Sequence, residues 1–148
     1  MTARWWWLSL SGIGLIALAD RLAKLLSLQH QTFSFDAVLF SWQYSLNQQL
    51  ALSLPGLLSA QWWGIIGLLV AAGALYYVWQ KRHPQSFLAA CAFALALGAA
   101  SNSFDRLFRG GVIDYLTFSW LNGLTLNLAD ILITLACVGI VWKLGARD

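Results

Sequence analysis

The sequence has no glutamate, only two histidines, two prolines and two cysteines, and only 10% charged residues in 148. Each shortage closes a possibility. With so little charge beside 59% hydrophobic side chains, a soluble globular domain is excluded, because water could not solvate that surface. The nine Lys and Arg are spread along the chain rather than clustered, which leaves no footprint for nucleic acid. His83 falls in a short basic connection and His30 stands alone, so a serine or cysteine nucleophile lacks a placed base. The same scarcity leaves no cluster of metal-ligand spacing, and neither a metal nor a cofactor is expected. Cys91 and Cys137 lie in apolar runs without C-x-x-C spacing and are read as small buried apolar side chains. Without glutamate, the acidic residues are Asp20, Asp36, Asp105, Asp114, Asp130 and Asp148, few enough to weigh one at a time.

What is present is apolar sequence long enough for a bilayer. A hydrocarbon core about 30 Å thick takes roughly 20 helical residues. Four stretches qualify: Trp5 to Leu28, Trp62 to Trp79, Phe87 to Arg106 and Leu124 to Trp142. Tryptophans and tyrosines crowd their ends, as interfacial belts do. The expected fold is therefore an all-α membrane protein of four transmembrane helices, with residues 1–148 forming a single integral membrane domain. Basic residues set the orientation: Lys81 and Arg82 in the short connection, with Arg4, Lys143 and Arg147 at the outer spans, predict that both termini are cytoplasmic. The segments 29–61 and 107–123 then lie on the far face. In the first of them Val38, Phe40, Trp42 and Tyr44 alternate with Leu39, Ser41, Gln43 and Ser45, predicting a small β-containing extracytoplasmic segment between helices 1 and 2, ended by Pro55 and Gly56. Arg4, the apolar run and Ala17-Leu18-Ala19 outline a cleavable secretory signal, but the bulky tryptophans and the charges of Arg21 and Lys24 predict that the first span is retained.

An ionisable side chain at membrane depth costs about 2.5–3.5 kcal/mol on insertion scales, so each needs a reason. Asp130 lies several residues inside the fourth span, and Asn127, Asp130, Thr134 and Cys137 share a helical stripe that should face protein or a wet cavity. Gly98, Asn102, Asp105 and Arg106 share a face of the third span, and Asp20 and Lys24 form an i, i+4 pair in the first. The chemistry natural to such a set is two carboxylates sharing one proton around a water molecule. Asp130 needs a partner. Asp20 has Lys24, Asp105 is read with Arg106, Asp36 sits in the expected strand and Asp148 ends the sequence. Asp114, in the apolar Val112-Ile113-Asp114-Tyr115-Leu116, remains.

These residues carry a resemblance. Asn102-Ser103-Phe104-Asp105-Arg106, Gly111-Val112-Ile113-Asp114-Tyr115 and Asn127-Leu128-Ala129-Asp130 resemble, in order, the signature blocks of the lipoprotein signal peptidase (signal peptidase II) family. Asp20 with Lys24 is similar to that family's first block, and Asn47 stands where its outer-loop asparagine would be. The resemblance implies an aspartic endopeptidase of the bacterial inner membrane with Asp114 and Asp130 as catalytic dyad. Asn47, Asn102, Arg106, Asn127, Asp20 and Lys24 would be the binding or supporting residues. The implied substrate is a prolipoprotein cut before a diacylglyceryl-modified cysteine, with membrane lipid as the other partner and the chain acting as a monomer near the extracytoplasmic face. Two departures stand out: Asn47-Gln48-Gln49-Leu50-Ala51-Leu52 lacks the family's loop glycine and aromatic, and Ser101 replaces the usual glycine before Asn102. The competing reading is a non-catalytic four-helix membrane protein, either a lipopeptide-binding pseudo-peptidase or a transporter subunit with Asp130 as proton site.

Overall fold

The computed structural model describes residues 3–30, 34–37, 40–48, 58–80 and 86–146. Expectations for Val38, Leu39, Gln49 to Leu52, Pro55, Gly56, Lys81 to Pro84, Arg147 and Asp148 lie outside them. Among the described residues there are four α-helices, α1 (Ala3–Gln29), α2 (Ala60–Gln80), α3 (Phe87–Arg109) and α4 (Leu128–Gly145). Four strands accompany them: β1 (Ser34–Asp36), β2 (Ser41–Asn47), β3 (Val112–Phe118) and β4 (Leu124–Leu126). A 3-10 turn, Ser119–Leu121, joins the last two strands. α2, α3 and α4 are long and apolar enough to cross a membrane. α1 is longer still, at 27 residues, but Asp20, Arg21 and Lys24 interrupt its apolar surface.

α3 is the hub. Its alanines bring neighbouring helices close, with Cys91 and Ala94 against Leu132 and Ala136 of α4, and Ala96 and Ala99 against Ala71 of α2. Small side chains suit a bundle held by close packing in lipid, where there is no hydrophobic drive between helices. Gly98 marks a close approach of α3 to α4, since a Cβ there would stand 2.8 Å from the Ala129 carbonyl oxygen at the start of α4. The large apolar side chains point outward instead: Leu15, Leu69, Leu135 and Val141 are all exposed. Trp6 departs from the expected belt. It is buried against Ala89 and Ala90 of α3, where alanines leave room for an indole.

The four strands form one antiparallel sheet in the order β1-β2-β3-β4. The alternation read around residue 42 does belong to a strand, β2, but the sheet is not confined to the segment between helices 1 and 2. β3 and β4 come from the segment before α4. β3 escapes a period-two reading because Val112, Ile113, Asp114 and Tyr115 are all buried, leaving no polar face to alternate with. β2 pairs with β3 with a shift in register between Trp42 and Ser45, and this sets Ser45 opposite Asp114 and Asn47 opposite Val112.

The fourth helix starts later than the apolar run predicts. Leu124 to Leu126 are strand, and α4 begins at Leu128 with Asn127 as its N-cap. Asn127 and Asp130 form a capping box in which each side chain accepts from the other's backbone N–H. Asp130 is therefore in the first helical turn, not several residues into the span. The third helix also runs beyond Arg106 to Arg109, where Gly110 takes the left-handed conformation at φ 73° and donates its N–H to the Arg106 carbonyl at 3.2 Å.

Candidate active site

Where the end of α3, the start of α4, the far end of α1 and strands β2 and β3 meet, a set of polar side chains is buried together. Asp114 projects from β3 and is 1% exposed. Asn127 Nδ2 donates to its Oδ1 at 2.7 Å, and Asn47 Nδ2 donates to its Oδ2 at 3.1 Å. Asp130 is half-buried in the first turn of α4. Asn102 Nδ2 donates to its Oδ1 at 2.7 Å, and the Asn127 backbone N–H reaches its Oδ2 at 3.3 Å. Asn127 thus contacts both carboxylates, one through its side chain and the other through its backbone.

Burial pushes the Asp114 carboxyl up to about 6, and the negative charge of Asp130 adds to the effect. The amide donors of Asn47 and Asn127 pull the other way. That ordering matters for chemistry. A carboxyl that keeps its proton up to about 6, beside a second carboxylate, can act as an acid while its neighbour acts as a base.

Behind the pair lies a layer of formal charge. Lys24 Nζ is 3.2 Å from Asp20 Oδ2, 2.8 Å from Asp105 Oδ2 and 2.8 Å from Asn102 Oδ1, to which it donates. Asp105 also receives Arg21 at 2.9 Å and Arg109 at 2.8 Å. The expected pairing of Asp105 with Arg106 is therefore not found; adjacent helical residues point in different directions. Arg106 lies instead within electrostatic reach of Asp130, Asp114 and Asp105. The helical stripe predicted through Thr134 and Cys137 also fails. Both are exposed on the outer surface of α4, because the polar function ends with its first turn. Asp36 falls in β1, and it too is exposed.

Two contributors went unread in the sequence. Tyr115 is buried and stacked on Trp42, with ring centroids 4.8 Å apart, and its hydroxyl donates to Asp20 Oδ1 at 3.1 Å. Burial raises its ionisation above the ordinary phenol value, so it stays a donor. Ser101, noted in the sequence as replacing a usual glycine before Asn102, donates to Asp20 Oδ2 at 2.6 Å. Nothing in local sequence marks either residue. The late start of α4, by contrast, was signalled by the N-x-x-D spacing of Asn127 and Asp130.

A separate apolar cavity of about 300 Å³, lined among others by Val70, Tyr77, Leu88, Leu95 and Ile140, lies toward the other ends of α3 and α4. Its lining offers no carboxylate or amide for chemistry.

A family model described as Signal peptidase (SPase) II matches residues 13–145. The chain is 31% identical over 147 residues to the lipoprotein signal peptidase of Tolumonas auensis, covering 93% of this chain and 87% of that one. It is 34% identical over 141 residues to the lipoprotein signal peptidase of Synechococcus sp., covering 92% of each. Among solved structures, a bacterial membrane enzyme determined by the in meso method at 2.3 Å resolution matches with a TM-score of 0.77 at 20% identity, covering 92% of this chain and 86% of that one. A second, determined at 1.9 Å, matches with a TM-score of 0.76 at 20% identity over 95% of this chain. At that identity the structural likeness speaks for the fold.

Proposed function

The chain belongs to the signal peptidase II family, and from that premise we propose that Asp114 and Asp130 form the catalytic dyad of an aspartic endopeptidase that removes the signal peptide of prolipoproteins. The single observation that carries the reading is the pair of carboxylates, Asp114 buried and Asp130 half-buried, bridged by Asn127, neither of which has a Lys or Arg in salt-bridge contact among the described residues.

The geometry supports a general acid–base hydrolysis. Asp130, ionised, takes a proton from a water molecule as its oxygen attacks the scissile carbonyl carbon. Asp114, protonated, gives its proton to the carbonyl oxygen, forming a gem-diol. On collapse the diol returns a proton to Asp114, and the proton held by Asp130 passes to the departing amine of the cysteine. Asn102 and Asn127 hold the carboxylates in orientation. Asn47 and Arg106 line the approach, where peptide carbonyls of a diacylglyceryl-modified substrate need donors.

All four helices cross the membrane in this reading. α1 spans about 40 Å at 1.5 Å per residue, and Asp20 and Lys24 are buried against α3 rather than presented to lipid. The termini are cytoplasmic, the dyad lies toward the extracytoplasmic face of the bacterial inner membrane, lipid surrounds the chain, and it acts as a monomer. In a background lacking Cys91 and Cys137, a cysteine at Gln48 is expected to react with an impermeant thiol reagent in intact cells and one at Gln85 to be shielded. The reverse pattern overturns the orientation.

The function is tested by cleavage of a diacylglyceryl-modified prolipoprotein in liposomes. Wild-type protein should release the signal peptide, and Asp114→Asn should not. Absence of wild-type cleavage would return the chain to the non-catalytic lipopeptide-binding reading.

A further inference from the structure

The first N–H groups of an α-helix have no acceptor within the helix, and they commonly turn to water or to a bound anion. At the start of α4 each of the first three is met by a side chain. Asn127 Oδ1 accepts from Asp130 N at 2.9 Å, Asp20 Oδ1 accepts from Ala129 N at 3.2 Å, and the Tyr115 hydroxyl oxygen accepts from Leu128 N at 3.1 Å. Tyr115 in turn donates to the same Asp20 oxygen at 3.1 Å. The anion at this helix terminus is therefore a carboxylate from α1. It is fully buried, and its second oxygen receives Ser101 Oγ at 2.6 Å and faces Lys24 at 3.2 Å.

The positions of these contacts along the chain matter more than their number. Tyr115 directly follows Asp114 in β3, and Ala129 directly precedes Asp130 in α4. One oxygen of Asp20 is thus bonded to the immediate neighbours of both dyad residues, on two different elements. We infer that Asp20, acting with the Tyr115 hydroxyl, is a positioning residue for the reaction, a clamp that ties β3 to the first turn of α4 and so fixes the spacing of Asp114 and Asp130. This rests on the peptidase reading above. It differs from treating Asp20 as the counter-ion of Lys24, because a counter-ion needs neither the Ala129 N–H nor the phenol.

Three variants separate the roles. Tyr115→Phe removes one buried hydroxyl and leaves the Asp20–Lys24 pair in place. Asp20→Asn keeps an acceptor oxygen for Ala129 that Asp20→Ala loses. Purified proteins in liposomes are assayed for kcat and KM on a diacylglyceryl-modified prolipoprotein, and hydrogen exchange is followed in the peptide covering Asn127 to Ile131. For Tyr115→Phe the expected result is a fall in kcat of about tenfold, the scale of one lost hydrogen bond, with KM within about twofold. For Asp20→Ala the fall reaches about a hundredfold, as for a misplacement near 1 Å, and Asp20→Asn recovers a large part of it. Amide exchange at Leu128 and Ala129 quickens in both Tyr115→Phe and Asp20→Ala. Unchanged exchange in Tyr115→Phe overturns the clamp, and faster exchange with wild-type kcat overturns its role in the reaction. Should Asp20→Ala fail to fold, Tyr115→Phe decides alone. A wild-type protein that cleaves nothing sinks the peptidase reading itself, while the exchange measurement still judges the clamp.

Discussion

The buried polar junction has two halves built from the same residue type and treated in opposite ways. In one, Asp20 and Asp105 meet cations: Lys24 touches both, and Arg21 and Arg109 converge on Asp105. In the other, Asp114 and Asp130 meet neutral donors, the amides of Asn47, Asn102 and Asn127 and a backbone N–H. A carboxylate clasped by ammonium or guanidinium groups is bound into charge pairing, and removing its partner leaves an uncompensated buried charge. One held by amides is oriented without being neutralised, so it can take and release a proton. Under the proposed dyad, the contrast separates structural from reactive aspartates better than depth does, since Asp20, Asp105 and Asp114 are all buried.

The largest expected effect breaks the reactive half. Asp114→Asn or Asp130→Asn conserves shape and removes the acid or the base, with a loss of about 10²- to 10⁴-fold in kcat, and each single variant should lose nearly as much as the double. Thermal stability in detergent should change little. Asp36→Asn, at an exposed residue of β1, should cleave normally. Full activity in a folded Asp114→Asn protein would erase the distinction between the halves.

The ion-paired half should fail in the other currency. Lys24→Met leaves Asp20 buried without its cation, while Asp105 keeps Arg21 and Arg109, and is expected to destabilise by about 3–5 kcal/mol, read as a lower Tm and poor recovery from the membrane. If Lys24→Met folds as well as wild type and loses only turnover, the charged half is part of the chemistry after all.

Asn102 touches both halves, accepting from Lys24 at 2.8 Å and donating to Asp130 at 2.7 Å. Asn102→Ala sharpens the comparison because it cuts the link without altering any charge. A hydrogen bond to a charged group is worth about 1.5–3 kcal/mol, so kcat should fall by about ten- to a hundredfold. A stability loss of similar size is expected where Lys24 loses an acceptor. A change in Tm alone would show that the halves are independent.

Much of this was legible in the sequence, for physical reasons that differ from residue to residue. Helices α2 and α3 and the strand β2 announce themselves by apolar length or by alternation. Asp130 and Asp114 stand out because an acid in an apolar stretch is costly. The i, i+4 spacing of Asp20 and Lys24 is local and was readable as an ion pair. Of the partners of Asp105, Arg109 stands at the same i, i+4 spacing, whereas Arg21 was not readable, since it lies 84 residues away and joins Asp105 only through the packing of α1 on α3. Tyr115 carries no local mark either, because its meaning depends on Asp20 and Leu128, which come from other elements. The start of α4 was misplaced because hydrophobicity continues through β4, although the capping pair Asn127 and Asp130 held the answer.

The smallest effect is a pH limb, and its sign tests which carboxyl carries the shared proton. Asp114 is held up to about 6, chiefly by burial and then by the charge of Asp130. Below that value the pair carries one proton, on Asp114, and above it the proton is lost. For the free enzyme, kcat/KM should therefore fall as pH rises through about 6, by no more than about tenfold per pH unit. Stability should move in the same direction. A carboxyl whose pKa is raised by folding binds its proton more tightly in the native state, so stability declines as pH climbs from the ordinary carboxylate range toward 6 and then levels off. Asp114→Asn should flatten that decline. Asn47 donates to the charged form at 3.1 Å and so lowers the value, which means that Asn47→Ala should move the kcat/KM limb to higher pH. A limb that rises through this window would make ionised Asp114 the base and exchange the two roles. A limb that stays put in Asn47→Ala would mean that the titration belongs to another group.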